Sequence, residues 1–297
     1  MSAAPRRLDL WVTAVPFAWL ALFVALPVLI ALKISLADLQ VGAPPYTPLI
    51  GVNAAGQATL QVDAENYAFL LGDPLYWRAY LSSARIALIS TLCALLIGFP
   101  MAYAAARAPR GWRTAILVLI LLPFWTSFLI RVYAWIAVLR PGGMLNTVFQ
   151  ALGVIDQPLR LLNTEAAVIL GIVFCYLPYM VLPLYARLDK LDPALLDAAA
   201  DLGATPVTAF WRVVVPLALP GALAGCLLVF VPAVGEFVIP ELMGGADTLM
   251  IGRVLWNEFF SNRDWPLAAA VSVVLLAVLV APIALLQGLT NRGGVGR

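Results

Sequence analysis

Residues 197–217 read DAAADLGATPVTAFWRVVVPL, a polar stretch between two long apolar runs. The first six residues favour a helix, and Gly203 is a residue at which that helix can end. Phe210 and Trp211 are large apolar side chains in a connecting loop, and Pro216 opens the next apolar run. The stretch predicts a short helix, a glycine break and a second short helix, which form a projecting knob. Such a knob either docks in a groove of a partner protein or is an ordinary helix–loop–helix connector.

The composition around this loop is that of a membrane protein. Hydrophobic residues make up 63% of the 297 residues, charged residues make up 11%, and the mean hydropathy is +0.95. A soluble protein of this length would carry far more charge on its surface. Because Lys and Arg are scattered, the sequence offers no basic patch for nucleic acid. We therefore expect an all-α integral membrane protein in contact with lipid.

Six apolar runs are each long enough for a hydrocarbon core of about 30 Å. They cover residues 10–34, 80–106, 115–139, 165–186, 213–239 and 266–289. Alternate connecting segments hold ten of the eighteen basic residues: Arg6, Arg7, Arg107, Arg110, Arg113, Arg187, Lys190, Arg212, Arg292 and Arg297. The positive-inside rule then places both termini and the loop 187–212 in the cytoplasm. We expect residues 1–297 to form a single transmembrane domain.

The residue types that catalysis usually needs are absent or scattered. The sequence has no histidine, and Cys93, Cys175 and Cys226 lie in apolar runs without the spacing of a metal or redox site. Lys33 and Lys190 are the only lysines, and no G-x-x-x-x-G-K-[S/T] motif occurs, so the chain has no P-loop for ATP. We expect no enzyme, no metal site and no cofactor in this chain.

Three charged residues inside the apolar runs are candidates for a role within the membrane. Glu236 is a carboxylate in the fifth run, and a carboxylate at membrane depth normally faces a water-filled cavity or a partner. Two interpretations of Glu236 are open. Either Glu236 and Glu241 form the outer end of a path for cations, or the apolar run ends earlier and Glu236 lies at the membrane interface. For Arg85 and Arg131 we expect a pairing with a carboxylate inside the helix bundle.

Aromatic residues are dense near the outer halves of the third and fourth runs. An interfacial belt of Trp and Tyr accounts for most of them. Alternatively, aromatic faces beside carboxylates bind an alkylammonium ion through cation–π attraction of about 0.5–2 kcal/mol each. The candidate path residues on this second hypothesis are Glu236, Phe237, Glu241, Trp125, Tyr133, Tyr176 and Tyr179.

The polar loop resembles the coupling loop of ABC-importer permeases. That loop reads E-A-A, three residues, G, and then an apolar segment ending in proline; here residues 197–199 read DAA, and aspartate replaces the glutamate. In that family the loop docks into a cleft on a cytoplasmic ATPase and transmits its closure to the membrane helices. The resemblance assigns ATPase coupling to Asp197, Ala198, Ala199, Asp201, Gly203, Ala204 and Phe210.

The resemblance extends to the polyamine-importer permeases over residues 234–245, 250–256 and 262–266. It implies a type I ABC importer permease fold in the bacterial inner membrane, with putrescine or spermidine as the substrate. It also implies a second homologous permease subunit, two cytoplasmic ABC ATPase subunits that bind ATP and Mg, and an extracytoplasmic substrate-binding protein.

Other functions remain open at this point. A related importer would carry an organic anion or a metal complex, whereas the outside loop 35–77 holds four acidic residues and no base, which favours a cation. Within that loop, residues 58–62 are compatible with a short strand. An ATPase-independent secondary transporter or a structural membrane protein would have no use for the coupling loop.

Overall fold

The computed structural model describes residues 7–52, 58–60 and 62–293, with side chains described over 12–49 and 62–280. These residues are predominantly helical, and the chain divides into two compact units. The first unit is Met1–Trp77 with Val254–Arg297, and the second is Arg78–Arg253.

Fourteen α-helices follow one another along the described residues. They are α1 (Arg7–Leu20), α2 (Leu26–Ser35), α3 (Glu65–Gly72), α4 (Pro74–Arg107), α5 (Arg110–Leu121), α6 (Phe128–Leu139), α7 (Met144–Ala151), α8 (Glu165–Leu188), α9 (Ala194–Asp201), α10 (Pro206–Ala209), α11 (Val215–Val234), α12 (Val238–Met243), α13 (Ile251–Trp256) and α14 (Trp265–Gly293). Shorter π or 3-10 segments are Ala21–Ala25, Leu122–Trp125, Phe210–Val214 and Asn257–Ser261.

Two short strands lie between α2 and α3. β1 (Ile50–Val52) pairs antiparallel with β2 (Ala58–Leu60), and Ile50 lies opposite Leu60. The second strand falls within the stretch 58–62, which the sequence predicts to be strand-compatible.

In the first unit, α14 packs against α2 and α3. The Tyr76 hydroxyl donates a hydrogen bond to Glu258 Oε1 at 3.0 Å, which also ties the segment before α14 to the start of α4.

Five helical stretches among the described residues are long and apolar enough to cross a membrane. They are Val12–Ser35, Pro74–Arg107, Phe128–Ala151, Glu165–Leu188 and Pro206–Val234, and a shorter apolar stretch covers Trp265–Val280. The predicted continuous run 115–139 is interrupted. α5 ends at Leu121, a 3-10 turn covers Leu122–Trp125, and α6 begins only at Phe128. Pro123 explains the break, because its ring removes a helical hydrogen bond and clashes with the preceding turn.

The core of the second unit lies between α8 and α11. Small residues of α11, among them Gly221 and Gly225, let the two backbones come close. A Cβ at Gly221 would lie 2.7 Å from the Pro183 carbonyl oxygen, so the contact is close enough to need glycine. Met180 and Leu184 of α8 are fully buried against this surface.

The loop between α8 and α11 has the predicted helix–glycine–helix form. α9 ends at Asp201, and Gly203 has φ +80°, a backbone conformation that glycine adopts without strain. Thr205 then caps α10, since its side chain accepts a hydrogen bond from the Thr208 N–H at 3.3 Å. At the base of the loop, Arg113 of α5 forms an ion pair with Asp189 at 2.5 Å.

Candidate functional site

A cavity of about 600 Å³ lies in the second unit, where the break before α6, the middle of α8 and the end of α11 come together. It is lined by Phe124, Phe128, Arg131, Cys175, Tyr176, Tyr179, Pro232, Gly235, Glu236, Phe237 and Val238. Five of these side chains are aromatic and two carry opposite charges. A concave, mostly apolar site with a few convergent polar groups is the form that small-molecule sites usually take.

Glu236 is the negative group of this cavity and is only 7% exposed. α11 ends at Val234, so the apolar helix stops two residues before Glu236 rather than continuing through it to 239. The Glu236 Oε1 atom accepts hydrogen bonds from the N–H groups of Val238 at 3.0 Å and Ile239 at 3.4 Å. Its Oε2 atom accepts one from the Tyr176 hydroxyl at 2.5 Å. A buried carboxylate needs such donors, and here both oxygen atoms have them.

Close backbone contact holds the turn that presents Glu236. A Cβ added at Gly252 would lie 2.4 Å from the Gly235 carbonyl oxygen and 2.6 Å from that of Glu236. The start of α13 can therefore approach this turn only because residue 252 has no side chain. The Ile251 N–H also donates to the Ser83 hydroxyl at 2.7 Å, which anchors α13 to α4.

Arg131 is the positive group of the cavity and is 9% exposed. Its guanidinium lies 5.0 Å from the Phe124 ring centroid and 5.7 Å from that of Phe128. Nη1 donates to the Cys175 carbonyl oxygen at 3.4 Å, whereas the buried Nε has no hydrogen-bond partner. Among the described side chains Arg131 forms no ion pair, so its predicted pairing with a carboxylate is wrong. Two aromatic faces take the place of the carboxylate.

Arg85 pairs with a carboxylate, as predicted, but the pair is exposed rather than inside the helix bundle. Its guanidinium forms an ion pair with Glu165 at the start of α8. Both side chains are well exposed, Arg85 at 60% and Glu165 at 38%, so this pair lies away from the buried cavity.

The predicted path residues divide into two groups. Glu236, Phe237, Tyr176 and Tyr179 line the cavity together. Glu241 instead pairs with Arg253 at 2.6 Å, and Trp125 and Tyr133 point outward with 81% and 56% of their surface exposed. The cavity also has lining residues that the sequence pattern does not predict: Phe124, Phe128, Cys175, Pro232, Gly235 and Val238. Arg131 lines it too, instead of forming the predicted ion pair.

The loop between α8 and α11 exposes some of its apolar side chains and packs another against α4. Leu202 is 89% exposed and Trp211 is 63% exposed. Phe210, in contrast, packs edge-on against Phe99 and Tyr103 of α4, with ring centroids 5.6 and 5.7 Å apart.

Of the remaining loop residues predicted to couple to an ATPase, Asp197, Ala198, Asp201 and Gly203 are exposed, and Ala199 and Ala204 are half-buried. The loop thus offers a surface of small, acidic and isolated apolar groups, while Phe210 connects it to a membrane helix.

Comparison with known families decides what kind of protein this is. The family described as "binding-protein-dependent transport system inner membrane component" matches residues 94–291. The chain belongs to this family. Among its relatives, the spermidine/putrescine transport system permease protein PotB of Escherichia coli K12 is 43% identical over 261 residues, which cover 88% of this chain and 90% of that protein.

One further relative and one solved structure are also similar to this chain. The molybdenum transport system permease protein ModB of Mycobacterium bovis is 31% identical and is matched over 80% of this chain and 87% of that protein. A bacterial ABC transporter that imports the acidic polysaccharide alginate has a subunit with the same fold, with a TM-score of 0.69, 16% identity and 95% of both chains covered.

Proposed function

We propose that this chain is the transmembrane permease subunit of an ATP-driven ABC importer and that it moves a polyamine such as putrescine or spermidine across the bacterial inner membrane. The observation that carries the proposal is the 43% identity to a spermidine/putrescine permease over 88% of the chain. The 261 matched residues include both the exposed loop and the cavity. The similarity therefore supports a shared transport mechanism and is not confined to one motif.

The proposed topology has six spans, with both termini in the cytoplasm and one transmembrane domain. Five apolar helical stretches and the 29-residue α14 supply six segments of sufficient length. The basic residues that cluster at alternate connections support the orientation. On this orientation the loop from α9 to α10 is cytoplasmic.

The proposed partners are a second homologous permease, two cytoplasmic ATPases and an extracytoplasmic substrate-binding protein. ATP and Mg would bind to the ATPases, and the chain itself would perform no catalysis. Asp197, Ala198, Asp201 and Gly203 form the exposed docking surface with Leu202, whose side chain is 89% exposed. Ala199, Ala204 and Phe210 would support this surface from beneath, and Phe210 would transmit its movement to α4 through Phe99 and Tyr103.

The proposed translocation path passes the cavity at Glu236. A carboxylate buried beside Tyr176, Tyr179 and Phe237 offers an alkylammonium group both a charge-assisted hydrogen bond and aromatic faces. In the present conformation Glu241, Trp125 and Tyr133 lie elsewhere, and their place in the path stays a prediction.

One observation favours a second candidate, an importer of a small anion. The Arg131 guanidinium lines the same cavity with an unpartnered Nε, and a cation in that position attracts an anion. A relative named as a molybdenum permease is consistent with this alternative. The two candidates predict opposite responses to charged solutes.

The test is ATP hydrolysis by the assembled complex in nanodiscs, with its binding protein and a single solute in each reaction. Putrescine, spermidine, molybdate and alginate oligosaccharide are compared at equal concentration. The proposal predicts stimulation by a polyamine and none by either anion. Stimulation by an anion alone would support the second candidate, and failure of any ATPase to co-purify with the chain would overturn both.

A further inference from the structure

The cavity at Glu236 contains a fixed positive charge that a path for cations does not need. Arg131 and Glu236 are 9% and 7% exposed, so both charges are held in a poorly solvated space of about 600 Å³. At such burial, charges interact more strongly than they do in water, and each removed or added charge changes the binding of a charged solute. The two side chains together leave the cavity without net charge.

The two charges are supported unequally. Glu236 accepts three hydrogen bonds, from Tyr176, Val238 and Ile239. Arg131 donates one long hydrogen bond to the Cys175 carbonyl oxygen, leaves Nε unpartnered, and otherwise relies on the faces of Phe124 and Phe128. A buried donor without a partner is costly, which points to a role for Arg131 beyond packing.

We propose that Arg131 is a specificity-determining residue that limits how many ammonium groups of a polyamine occupy the cavity together. This inference rests on the proposed function. One ammonium group of a substrate pairs with Glu236, and each further ammonium group that enters is repelled by the Arg131 guanidinium. Because the Arg131 guanidinium lies over Phe124 and Phe128, an ammonium group that approaches these rings meets a like charge, whereas Tyr176, Tyr179 and Phe237 line the cavity beside Glu236.

The consequence is discrimination by charge number. Putrescine carries two ammonium groups and spermidine carries three, so the repulsion acts more strongly on spermidine. Two unit charges about 12 Å apart at an effective dielectric constant of about 20 change an equilibrium about tenfold. Removal of the Arg131 charge should therefore raise spermidine transport relative to putrescine transport by about tenfold, and removal of the Glu236 charge should lower the same ratio.

The experiment measures initial uptake of labelled putrescine and spermidine into proteoliposomes that hold the complete complex, with one binding protein throughout. The readout is the ratio of kcat/KM for spermidine to that for putrescine, divided by the wild-type ratio. Because the binding protein is the same in every sample, its own preference cancels. Arg131→Gln should raise the ratio, Arg131→Lys should keep it near the wild-type value, and Glu236→Gln should lower it.

A purely structural role for Arg131 would reduce transport of both substrates equally and leave the ratio unchanged. An unchanged ratio in Arg131→Gln would overturn the inference while the importer itself stands. If Arg131→Gln does not assemble, Arg131→Met, which keeps the contact with both phenyl rings, should raise the same ratio of kcat/KM. Wild-type complexes that transport neither polyamine would refute the proposed function instead, so the two failures are distinguishable.

Discussion

The exposed loop from α9 to α10 and the cavity at Glu236 are the two parts of this molecule that carry its proposed function, and they are built in opposite ways. The loop is one continuous segment whose shape depends on local rules, namely a helix end at Gly203 and a cap at Thr205. The cavity draws on three segments that are far apart in sequence, around residues 124–131, 175–179 and 232–238.

This contrast separates two requirements of a transport subunit. On the proposed function the loop binds an ATPase and therefore needs exposed side chains, of which Leu202 at 89% exposure is one. The cavity needs buried charges that hydrogen bonds hold in place, as the Tyr176 hydroxyl holds Glu236, because its affinity for a charged solute depends on excluding water. Changes in the loop should therefore alter assembly and coupling, whereas changes in the cavity should alter transport within an assembled complex.

The largest expected effect is in the cavity. Glu236→Gln should lower polyamine uptake at least tenfold, because it removes a charge-assisted interaction worth about 1.5–3 kcal/mol and keeps a side chain of the same shape. Complex assembly should survive, as judged by co-purification of the ATPase. Asp247→Asn is the matched control, since Asp247 is an exposed acid outside the cavity, and its uptake should match wild type. Wild-type uptake by Glu236→Gln would remove this residue from the path.

The next effect is in the loop. Leu202→Asp should weaken binding of the ATPase about tenfold, which is typical for loss of an exposed apolar anchor in an interface. The control is Leu152→Asp, at a site that is 71% exposed and follows α7 on the side proposed to face outward. Affinity measured by titration of the purified ATPase onto the permease in nanodiscs distinguishes the two. Equal affinity of both variants would argue against docking at Leu202.

A smaller effect tests the support of the cavity. Gly252→Ala places a methyl group 2.4 Å from the Gly235 carbonyl oxygen, so the turn that presents Glu236 must shift. Overpacking of this kind costs about 1–3 kcal/mol, and the unfolding temperature in detergent should fall. Gly111→Ala, where a Cβ meets nothing within 4 Å, should leave it unchanged or raise it. An unaltered unfolding temperature in Gly252→Ala would show that this contact is not tight.

The smallest effect concerns the base of the loop. Asp189→Asn removes the ion pair with Arg113. The Arg113 and Asp189 side chains are each about one-third exposed. Partly exposed pairs contribute about 0.2–1 kcal/mol, so the loss of stability should be slight and should shrink in high salt. A double-mutant cycle with Arg113→Gln isolates the pair. A coupling energy above about 2 kcal/mol would mean that this ion pair behaves as a buried one.

The same contrast explains what the sequence could predict. The helix–glycine–helix loop and the apolar character of the runs depend on neighbouring residues, so composition and spacing predict them. The interruption of the run 115–139 and the end of the fifth run at Val234 are not predicted in this way. Glu236 was also identified, because a carboxylate in an apolar run is conspicuous. Its precise environment was not predicted, since the end of α11 at Val234 and the turn beyond it depend on contact with Gly252.

Side-chain direction was the main source of error. Phe124 and Trp125 are adjacent, and only Trp125 was predicted to line the path. The break at Pro123 turns Phe124 toward the cavity and leaves Trp125 81% exposed. Arg131 is conspicuous in the sequence as a charge at membrane depth, but its contacts with two phenyl rings rather than a carboxylate are not. Neither outcome follows from spacing along the sequence, because both depend on how α6 packs against α8.

The most direct test of the separation between loop and cavity measures ATP hydrolysis and polyamine uptake in the same proteoliposomes. We predict that Leu202→Asp loses both activities together, since less ATPase is bound. We predict that Glu236→Gln retains hydrolysis stimulated by the binding protein but transports less polyamine for each ATP hydrolysed. Proportional loss of both activities in Glu236→Gln, or normal values of both in Leu202→Asp, would contradict the account.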